Sequence, residues 1–180
     1  MNNIHYASIR NLDISNGEGI GVALFVQGCH FHCYNCFNTE TWDFNGGKEW
    51  TQDTEDKLIE LANKPYIKRL SILGGEPLAD ENLDGVLHLV DRFRLSLPNK
   101  SIWLYTGYKW NQIFNDGVYL TKDCAGWKCR EIVNQCNILV DGKYIDSLRD
   151  PQLHFRGSSN QRVIDIQKSI QKGELTLWCQ

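Results

Sequence analysis

Three closely spaced cysteines constrain this chain more than any other feature of its sequence. Cys29, Cys33 and Cys36 have the spacing C-x3-C-x2-C and follow the short apolar run Gly21 to Val26. That run, preceded by the glycine-rich stretch Asn16 to Gly19, is typical of a short buried strand. The cysteine loop should therefore leave the carboxyl end of a strand, where α/β proteins place ligand-binding loops.

The spacing of these cysteines favours a 4Fe-4S cluster, in which each thiolate binds one iron. Such clusters ordinarily take four cysteines, so three would leave one iron open to an external ligand. S-adenosylmethionine (SAM) could chelate that iron through its amino and carboxylate groups, and the cluster could then cleave it reductively. The alternative is a zinc site, because three cysteines with His30 or His32 would form a Cys3His ligand set.

Cysteine content and net charge limit the cellular compartment and the kinds of partner that we expect for this chain. It has 180 residues, seven cysteines and a formal net charge of −3. We expect a cytoplasmic protein, because the sequence shows neither a signal peptide nor a run long enough to cross a membrane. In a reducing compartment, unevenly clustered cysteines indicate metal ligation or thiol chemistry. No basic run exceeds Lys68-Arg69, so we expect neither nucleic acid nor a membrane as a partner.

A second motif, Gly74-Gly75-Glu76-Pro77, ends the next predicted strand, Arg69 to Leu73. Two glycines let a ligand approach the backbone closely, and Glu76 could accept a hydrogen bond from an ammonium group. In isolation this tetrapeptide is typical of an ordinary tight turn. At the same sheet edge as the cysteine loop, it suits the methionyl amino group of SAM.

The remaining pattern predicts an α/β fold in which strands alternate with helices. We expect helices from Asp53, as the capping residue, to about Asn63 and from about Asp80 to Leu97, and further strands at Ser101 to Tyr105 and Cys136 to Val140. This alternation implies a mostly parallel sheet. A closed eight-stranded barrel takes about 250 residues. Residues 1–180 therefore predict a single domain with a partial, open (β/α) barrel, whose site a large substrate, another protein, would complete.

Taken together, these motifs resemble the radical SAM superfamily, and within it the activating proteins of anaerobic ribonucleoside-triphosphate reductase, a kind of glycyl-radical-enzyme activase. The resemblance covers nearly the whole chain. It rests on the two motifs above and on four further blocks: Asn16 to Gly19, Trp103 to Tyr108, Val140 to Tyr144 and Phe155 to Arg162.

The resemblance implies a role for individual residues. Cys29, Cys33 and Cys36 would ligate the cluster and so form the catalytic centre. The residues that would contact SAM are Asn35, Cys36, Phe37, Gly74, Gly75, Glu76 and Thr106, with Glu76 on the methionyl amino group and Asn35 and Phe37 beside the adenosine. The chain departs from the family at Asn35, where an aromatic residue is common, and at Glu18, where proline is common.

The resemblance also implies partners. A 5'-deoxyadenosyl radical would abstract hydrogen from a glycine of the large subunit of the anaerobic reductase. The electron would come from reduced flavodoxin or a similar protein. Two other functions remain open: an activase for a different glycyl-radical enzyme, whose relatives often carry extra cluster domains, and a non-catalytic, zinc-stabilised binding module.

Several residues allow either a functional or a structural interpretation. Cys124, Cys129 and Cys136 form a second group that could bind metal, although buried free cysteines are common and Cys136 opens an apolar strand. Cys179 is not expected to be a ligand. Arg156 and Arg162 flank a polar loop and could bind a carboxylate of SAM or of the partner protein.

Overall fold

A seven-stranded sheet forms the centre of the computed structural model, which describes residues 4–114 and 126–178. Its strands are β1 (His5–Asp13), β2 (Gly21–Val26), β3 (Lys48–Glu49), β4 (Arg69–Gly74), β5 (Ser101–Tyr105), β6 (Ile138–Asp141) and β7 (Arg162–Asp165). Its helices are α1 (Gln52–Ala62), α2 (Leu83–Ser96), α3 (Trp110–Phe114), α4 (Gly126–Gln135) and α5 (Ile166–Lys172), with short 3-10 turns at Thr39–Thr41 and Asp146–Leu148.

The strand order is β3-β1-β2-β4-β5-β6-β7, and the four middle strands are parallel. Strands β1, β3 and β7 pair antiparallel at the edges. Within the described ranges the two outer strands do not pair with each other, so the sheet is open. The expected α/β class, with an open sheet that is parallel in its middle, is confirmed. Its assignment to a barrel of the radical SAM type stays a prediction.

The two faces of the sheet are covered differently, because successive side chains of a strand point to opposite faces. One face, with residues such as Leu24, Ile72 and Leu104, packs against all five helices to form the main core. The other carries Phe25, Trp103 and their neighbours in two smaller clusters that include no helix residue. That second face leaves room for a cavity.

The element boundaries differ from the predicted ones for local reasons. Helix α1 is capped by Thr51, whose hydroxyl accepts from the Thr54 N–H at 3.2 Å, while Asp53 lies in the first turn. Strand β6 begins at Ile138, because the Cys136 N–H still bonds the Val133 carbonyl at the end of α4. Strands β1, β3 and β7 were not predicted. None of the helices in the described ranges is long and apolar enough to span a membrane.

A buried ion pair fixes the turn between β1 and β2. Arg69 is fully buried, and its Nη2 lies 2.8 Å from the Asp13 carboxylate. The same guanidinium donates to the Glu18 carbonyl at 3.2 Å, and Asp13 accepts from the Asn16 N–H at 3.0 Å. A Cβ on Gly17 would lie 2.7 Å from the Arg69 side chain. The Asn16 to Gly19 block therefore serves the packing of this turn.

We expect Asp13→Ala to lower the free energy of unfolding by about 3–5 kcal/mol, because it leaves the buried Arg69 charge without its partner. Denaturant unfolding of the ligand-free protein measures this loss. Asp56→Ala is the matched control, since Asp56 also pairs with an arginine, Arg92, but is exposed. The control should lose much less stability. Equal losses in the two variants would show that Asp13 has no special structural role.

Candidate functional site

One cavity of about 490 Å³ opens beside the carboxyl ends of the four parallel strands. Each strand contributes the segment that follows it: the cysteine loop after β2, Gly75 and Glu76 after β4, Thr106 and Gly107 after β5, and Gly142 to Tyr144 after β6. Cavities that bind cofactors and small molecules commonly span about 300–1,000 Å³. The predicted edge of the sheet is therefore the edge that carries the cavity.

The cysteine loop is held in place by backbone contacts. The Gly28 N–H donates to the Thr41 carbonyl at 2.8 Å, and the Cys29 N–H donates to the Trp42 carbonyl at 3.0 Å. Gly28 has a φ of 92°, and a Cβ there would lie 1.9 Å from the ring of Phe44. Only glycine fits this position, so the first residue of the loop is fixed by packing.

All three motif cysteines line the cavity and are partly buried. The Cys36 N–H donates to the Cys33 carbonyl at 3.1 Å, and the Asn38 N–H lies 3.4 Å from the Cys36 Sγ. Burial raises the pKa of the Cys29 thiol. Burial, and to a smaller extent the neighbouring Cys36, raises the pKa of the Cys33 thiol. Metal ligation requires thiolates, so a bound metal would have to drive their deprotonation.

The two histidines of the loop do not join the cysteines at the cavity. The Nε2 of His30 lies 3.0 Å from the Glu81 carboxylate, and the His32 ring stacks on Trp42 at 4.5 Å. Neither lines the cavity. Among the described residues, no three His, Cys, Asp or Glu side chains converge on a point as the ligands of a single metal ion do. Cysteines that each bind a different iron need no such convergence.

Glu76 is buried at the cavity wall and accepts three hydrogen bonds. Its Oε1 accepts from the Leu78 N–H at 2.9 Å and the Thr106 hydroxyl at 2.8 Å, and its Oε2 accepts from the Gly107 N–H at 2.7 Å. Burial raises the pKa of Glu76 to about 7, although all three hydrogen bonds favour the carboxylate. Since Oε2 has a single donor, it retains acceptor capacity for a ligand.

Gly74 and Gly75 line the cavity, but packing alone already requires them. A Cβ on Gly74 would lie 2.7 Å from the Phe25 Cα, and a Cβ on Gly75 would lie 2.3 Å from the Gly28 carbonyl oxygen. The glycines therefore let β4 and its loop lie close to β2 and the cysteine loop. The sequence had suggested that they let a ligand lie close to the backbone. The packing role is observed, and the contact of these glycines with a ligand stays a prediction.

Most of the residues predicted to contact SAM lie at the cavity, and one does not. Phe37 and Thr106 line it, and the Phe37 ring lies 5.1 Å from that of Tyr144. Asn35 does not line it, and its side-chain amide donates to Asp146 at 3.2 Å.

The second cysteine group does not form a site in the described part of the chain. Cys129 and Cys136 are buried in the main core among apolar side chains, and burial raises the pKa of each thiol to about 12. Cys124 and Cys179 lie outside the described residues.

Several residues that line the cavity were not predicted from the sequence, notably Trp42, Tyr105 and Lys143. Tyr105 was detectable in principle, because it follows Trp103 by two positions in β5 and so shares its face of the sheet. Lys143 lies over the Phe31 ring at 4.4 Å, a contact between loops more than 100 residues apart that no local pattern reveals.

The cavity wall is suited to a polar ligand. Trp42 Nε1, Tyr105 Oη and Arg156 Nε are buried and have no hydrogen-bond partner among the described residues. Buried polar groups are normally paired, so three unpaired donors on residues that line one cavity mark this region as polar. Three thiols, one carboxylate with spare acceptor capacity and three unpaired donors fit an iron-sulfur cluster with a polar organic ligand.

Comparisons with known proteins indicate an iron-sulfur domain. A family model described as a 4Fe-4S single cluster domain matches residues 15–164. Over 162 residues the chain is 40% identical to the anaerobic ribonucleoside-triphosphate reductase-activating protein of Escherichia coli, which covers 89% of this chain and 97% of that protein. The proteins of the same name in Vibrio cholerae (37% identical, 89% and 97% covered) and Enterobacteria phage T4 (35% identical, 89% and 93% covered) are also similar.

Burial of Glu76 should make the stability of the ligand-free protein depend on pH. The pKa is about 7 in the folded protein against 4.5 in an unperturbed glutamate. The folded state therefore binds more protons between these values, and the Glu76 contribution, complete below about pH 4.5, is lost as the pH rises through about 7. Denaturant unfolding across this range should show the loss in the unmodified protein.

Glu76→Gln is the matched variant, because glutamine has a similar shape and does not titrate. Its amide should flatten the stability profile between about pH 4.5 and 7. An identical pH slope in both proteins would mean that another group is responsible.

Proposed function

The chain belongs to the anaerobic ribonucleoside-triphosphate reductase-activating proteins and has a 4Fe-4S domain, and we propose that it activates such a reductase as a radical SAM enzyme. The observation that carries this proposal is that the three motif cysteines and Glu76 line one cavity at the carboxyl ends of parallel strands. The same arrangement supports the oxidoreductase class, because a cluster with three protein ligands would keep one iron available for reaction.

Cys29, Cys33 and Cys36 would hold the 4Fe-4S cluster. When bound, cluster and SAM together would supply reductive cleavage to methionine and a 5'-deoxyadenosyl radical that takes hydrogen from a glycine of the reductase. The protein's part is to position these groups. The hydrogen bonds from Gly28 and Cys29 to Thr41 and Trp42 fix where the loop starts, and with it the backbone of the first ligand.

Glu76 would accept the methionyl ammonium group through the spare capacity of its Oε2. Thr106 would act through Glu76, since its hydroxyl donates to that carboxylate at 2.8 Å and holds it in place. A positive ligand beside Glu76 would also favour its charged form, and so offset the effect of burial on its pKa.

Phe37 would border the adenosine, together with Tyr144, which packs against it. The side chain of Asn35 is engaged with Asp146, so any contact of Asn35 with the nucleoside would come from its backbone. Gly74 and Gly75 would bring the backbone of the loop after β4 close to the methionyl group while they satisfy packing against β2.

The open side of the cavity would be covered by the protein substrate. Phe37 is 58% exposed and Tyr34, between the second and third cysteines, is 78% exposed. Large exposed aromatic side chains around a cavity are typical of interaction sites. The glycine-bearing segment of the large subunit would enter here and exclude water, and reduced flavodoxin or a similar protein would deliver the electron.

Replacing any motif cysteine should abolish the chemistry. We expect Cys29→Ala, Cys33→Ala and Cys36→Ala to lose cluster iron and all SAM cleavage, because each removes the only protein ligand of one iron. Anaerobic reconstitution followed by iron and sulfide analysis, and then an assay for 5'-deoxyadenosine after reduction with SAM, measures both effects.

Cys129→Ala is the control, because Cys129 is a buried core thiol. It should keep the full iron content and full cleavage. Cleavage at the normal rate in any of the three motif variants would refute the assignment, and zinc without iron in the unmodified protein would favour the binding module. Transfer of the radical to a different glycyl-radical enzyme, but not to the anaerobic reductase, would favour the other activase.

A further inference from the structure

A buried asparagine joins the two loops that carry the candidate site. Asn82 is 2% exposed and lies at the start of α2. Its side-chain nitrogen donates to the Gln27 carbonyl and to the Glu76 carbonyl, each at 2.9 Å. Gln27 directly precedes Gly28, the first residue of the cysteine loop. One side chain therefore connects the chain that enters the cysteine loop to the loop after β4.

The chemistry of these contacts requires an amide. Both partners of the Asn82 side chain are backbone carbonyls, which only accept hydrogen bonds. The side-chain nitrogen of asparagine has two protons, so it can donate to both carbonyls. A serine hydroxyl has one proton to donate, and an ionised aspartate has none. An amide at this position can therefore hold both loops at the same time.

The Asn82 side chain does not play the usual role of an asparagine at a helix start. Asn82 is the N-cap residue of α2, where the side-chain oxygen ordinarily accepts from a backbone N–H of the first helical turn. The Asn82 side chain makes no such bond. The side chains of Thr51 and Asp165, the N-cap residues of α1 and α5, do make it. The Asn82 amide is therefore committed to the two loops and not to the helix.

Asn82 completes a set of hydrogen bonds to three consecutive carbonyls at the end of β2. The Val26 carbonyl accepts from the Gly75 N–H at 2.8 Å. The Gly28 carbonyl accepts from the Glu76 N–H at 2.7 Å. The carbonyl between them accepts from the asparagine side chain. The relative position of the two loops is therefore set by the backbone bonds and the side-chain amide together.

We propose that Asn82 is a positioning residue that sets the separation between the cysteine loop and the Glu76 carboxylate. This inference rests on the proposed function, in which one SAM molecule reaches both the cluster and Glu76. A ligand that contacts two points binds well only when their separation is right, so a loosened junction weakens binding without removing a ligand contact. Asn82 does not line the cavity and acts through the backbone of both loops.

Asn82→Ser tests this inference, because serine is an equally good N-cap residue but has a single donor. Asn137→Ala is the matched control. The Asn137 side-chain oxygen accepts from the Ile102 N–H at 2.9 Å and from the Arg94 guanidinium at 2.6 Å, so it too joins neighbouring elements. Asn137 precedes β6 at its amino end and does not line the cavity. Both variants therefore remove side-chain hydrogen bonds, but only one removes them from the junction.

Binding of SAM to the reconstituted proteins is the first measurement. Asn82→Ser should keep the full iron content and bind SAM about fivefold or more weakly, because SAM then binds only the fraction of molecules with the correct separation. Asn137→Ala should keep both the iron content and the SAM affinity of the unmodified protein. Equilibrium binding with iron and sulfide analysis measures both quantities.

Amide hydrogen exchange of the ligand-free proteins is the second measurement, and it does not depend on the cluster. The Gly75 and Glu76 N–H groups should exchange faster in Asn82→Ser than in Asn137→Ala, because local opening of the junction becomes easier. Comparison at equal global stability, measured by denaturant unfolding, removes the general effect of either change. If Asn82→Ser does not fold, exchange in the unmodified protein decides, and unprotected Gly75 and Glu76 N–H groups would overturn the inference.

The outcomes are distinguishable. Unchanged SAM affinity in a folded Asn82→Ser protein would overturn the inference, because the amide would then serve only the fold. Equal weakening of SAM binding in Asn137→Ala would overturn it too, since the effect would come from stability alone. Loss of the cluster in Asn82→Ser alone would show a role in cluster assembly and not in separation. Failure of the unmodified protein to bind a cluster would instead refute the proposed function, while hydrogen exchange would still test the junction.

Discussion

The backbone junction between the cysteine loop and the loop after β4 is the constraint on which the site depends. The Gly75 N–H donates to the Val26 carbonyl at 2.8 Å, and the Glu76 N–H donates to the Gly28 carbonyl at 2.7 Å. These bonds continue the parallel pairing of β2 and β4 beyond the end of the strands. They require glycine at 74 and 75, where a side chain would meet the backbone of β2 and its loop. Because of this junction, the thiols and the Glu76 carboxylate line one wall.

The residues that line the cavity also carry polar groups whose burial is costly for the fold. Glu76 is buried at 2% exposure with its pKa raised to about 7, and the Tyr105 hydroxyl and Arg156 Nε are buried without partners among the described residues. By contrast, the buried Arg69 charge away from the cavity is paired with Asp13 and bonded further to backbone carbonyls. Buried polar groups are paired in the turn between β1 and β2 but unpaired beside the cavity, as is typical of a binding site.

The sequence predicted the centre of the fold better than its edges, for physical reasons. Strand β2 is buried on both faces and reads as a continuous apolar run, so its predicted and observed bounds agree. Strand β1 is only half-buried and lacks regular alternation, with register shifts in its pairing. The candidate site was predictable where its residues lie close together in the sequence, as in the cysteine loop. Contacts such as Thr106 with Glu76 depend on which strands are neighbours, and alternation alone does not give their order.

Two different kinds of contact hold the cysteine loop. Backbone hydrogen bonds join it to the loop after β4, and side chains join it to the loop after β6. Lys143 lies over the Phe31 ring at 4.4 Å, Phe37 packs on Tyr144, and Asn35 bonds Asp146, so side-chain contacts join the cysteine loop to the loop that follows β6. An exposed cation-π contact stabilises by only about 0.5–1 kcal/mol. The Lys143 contact is therefore weak beside the two backbone hydrogen bonds of the junction at Gly75 and Glu76. The start of the cysteine loop is therefore held through the backbone, whereas the rest of the loop is held through the side chains between and beside its cysteines.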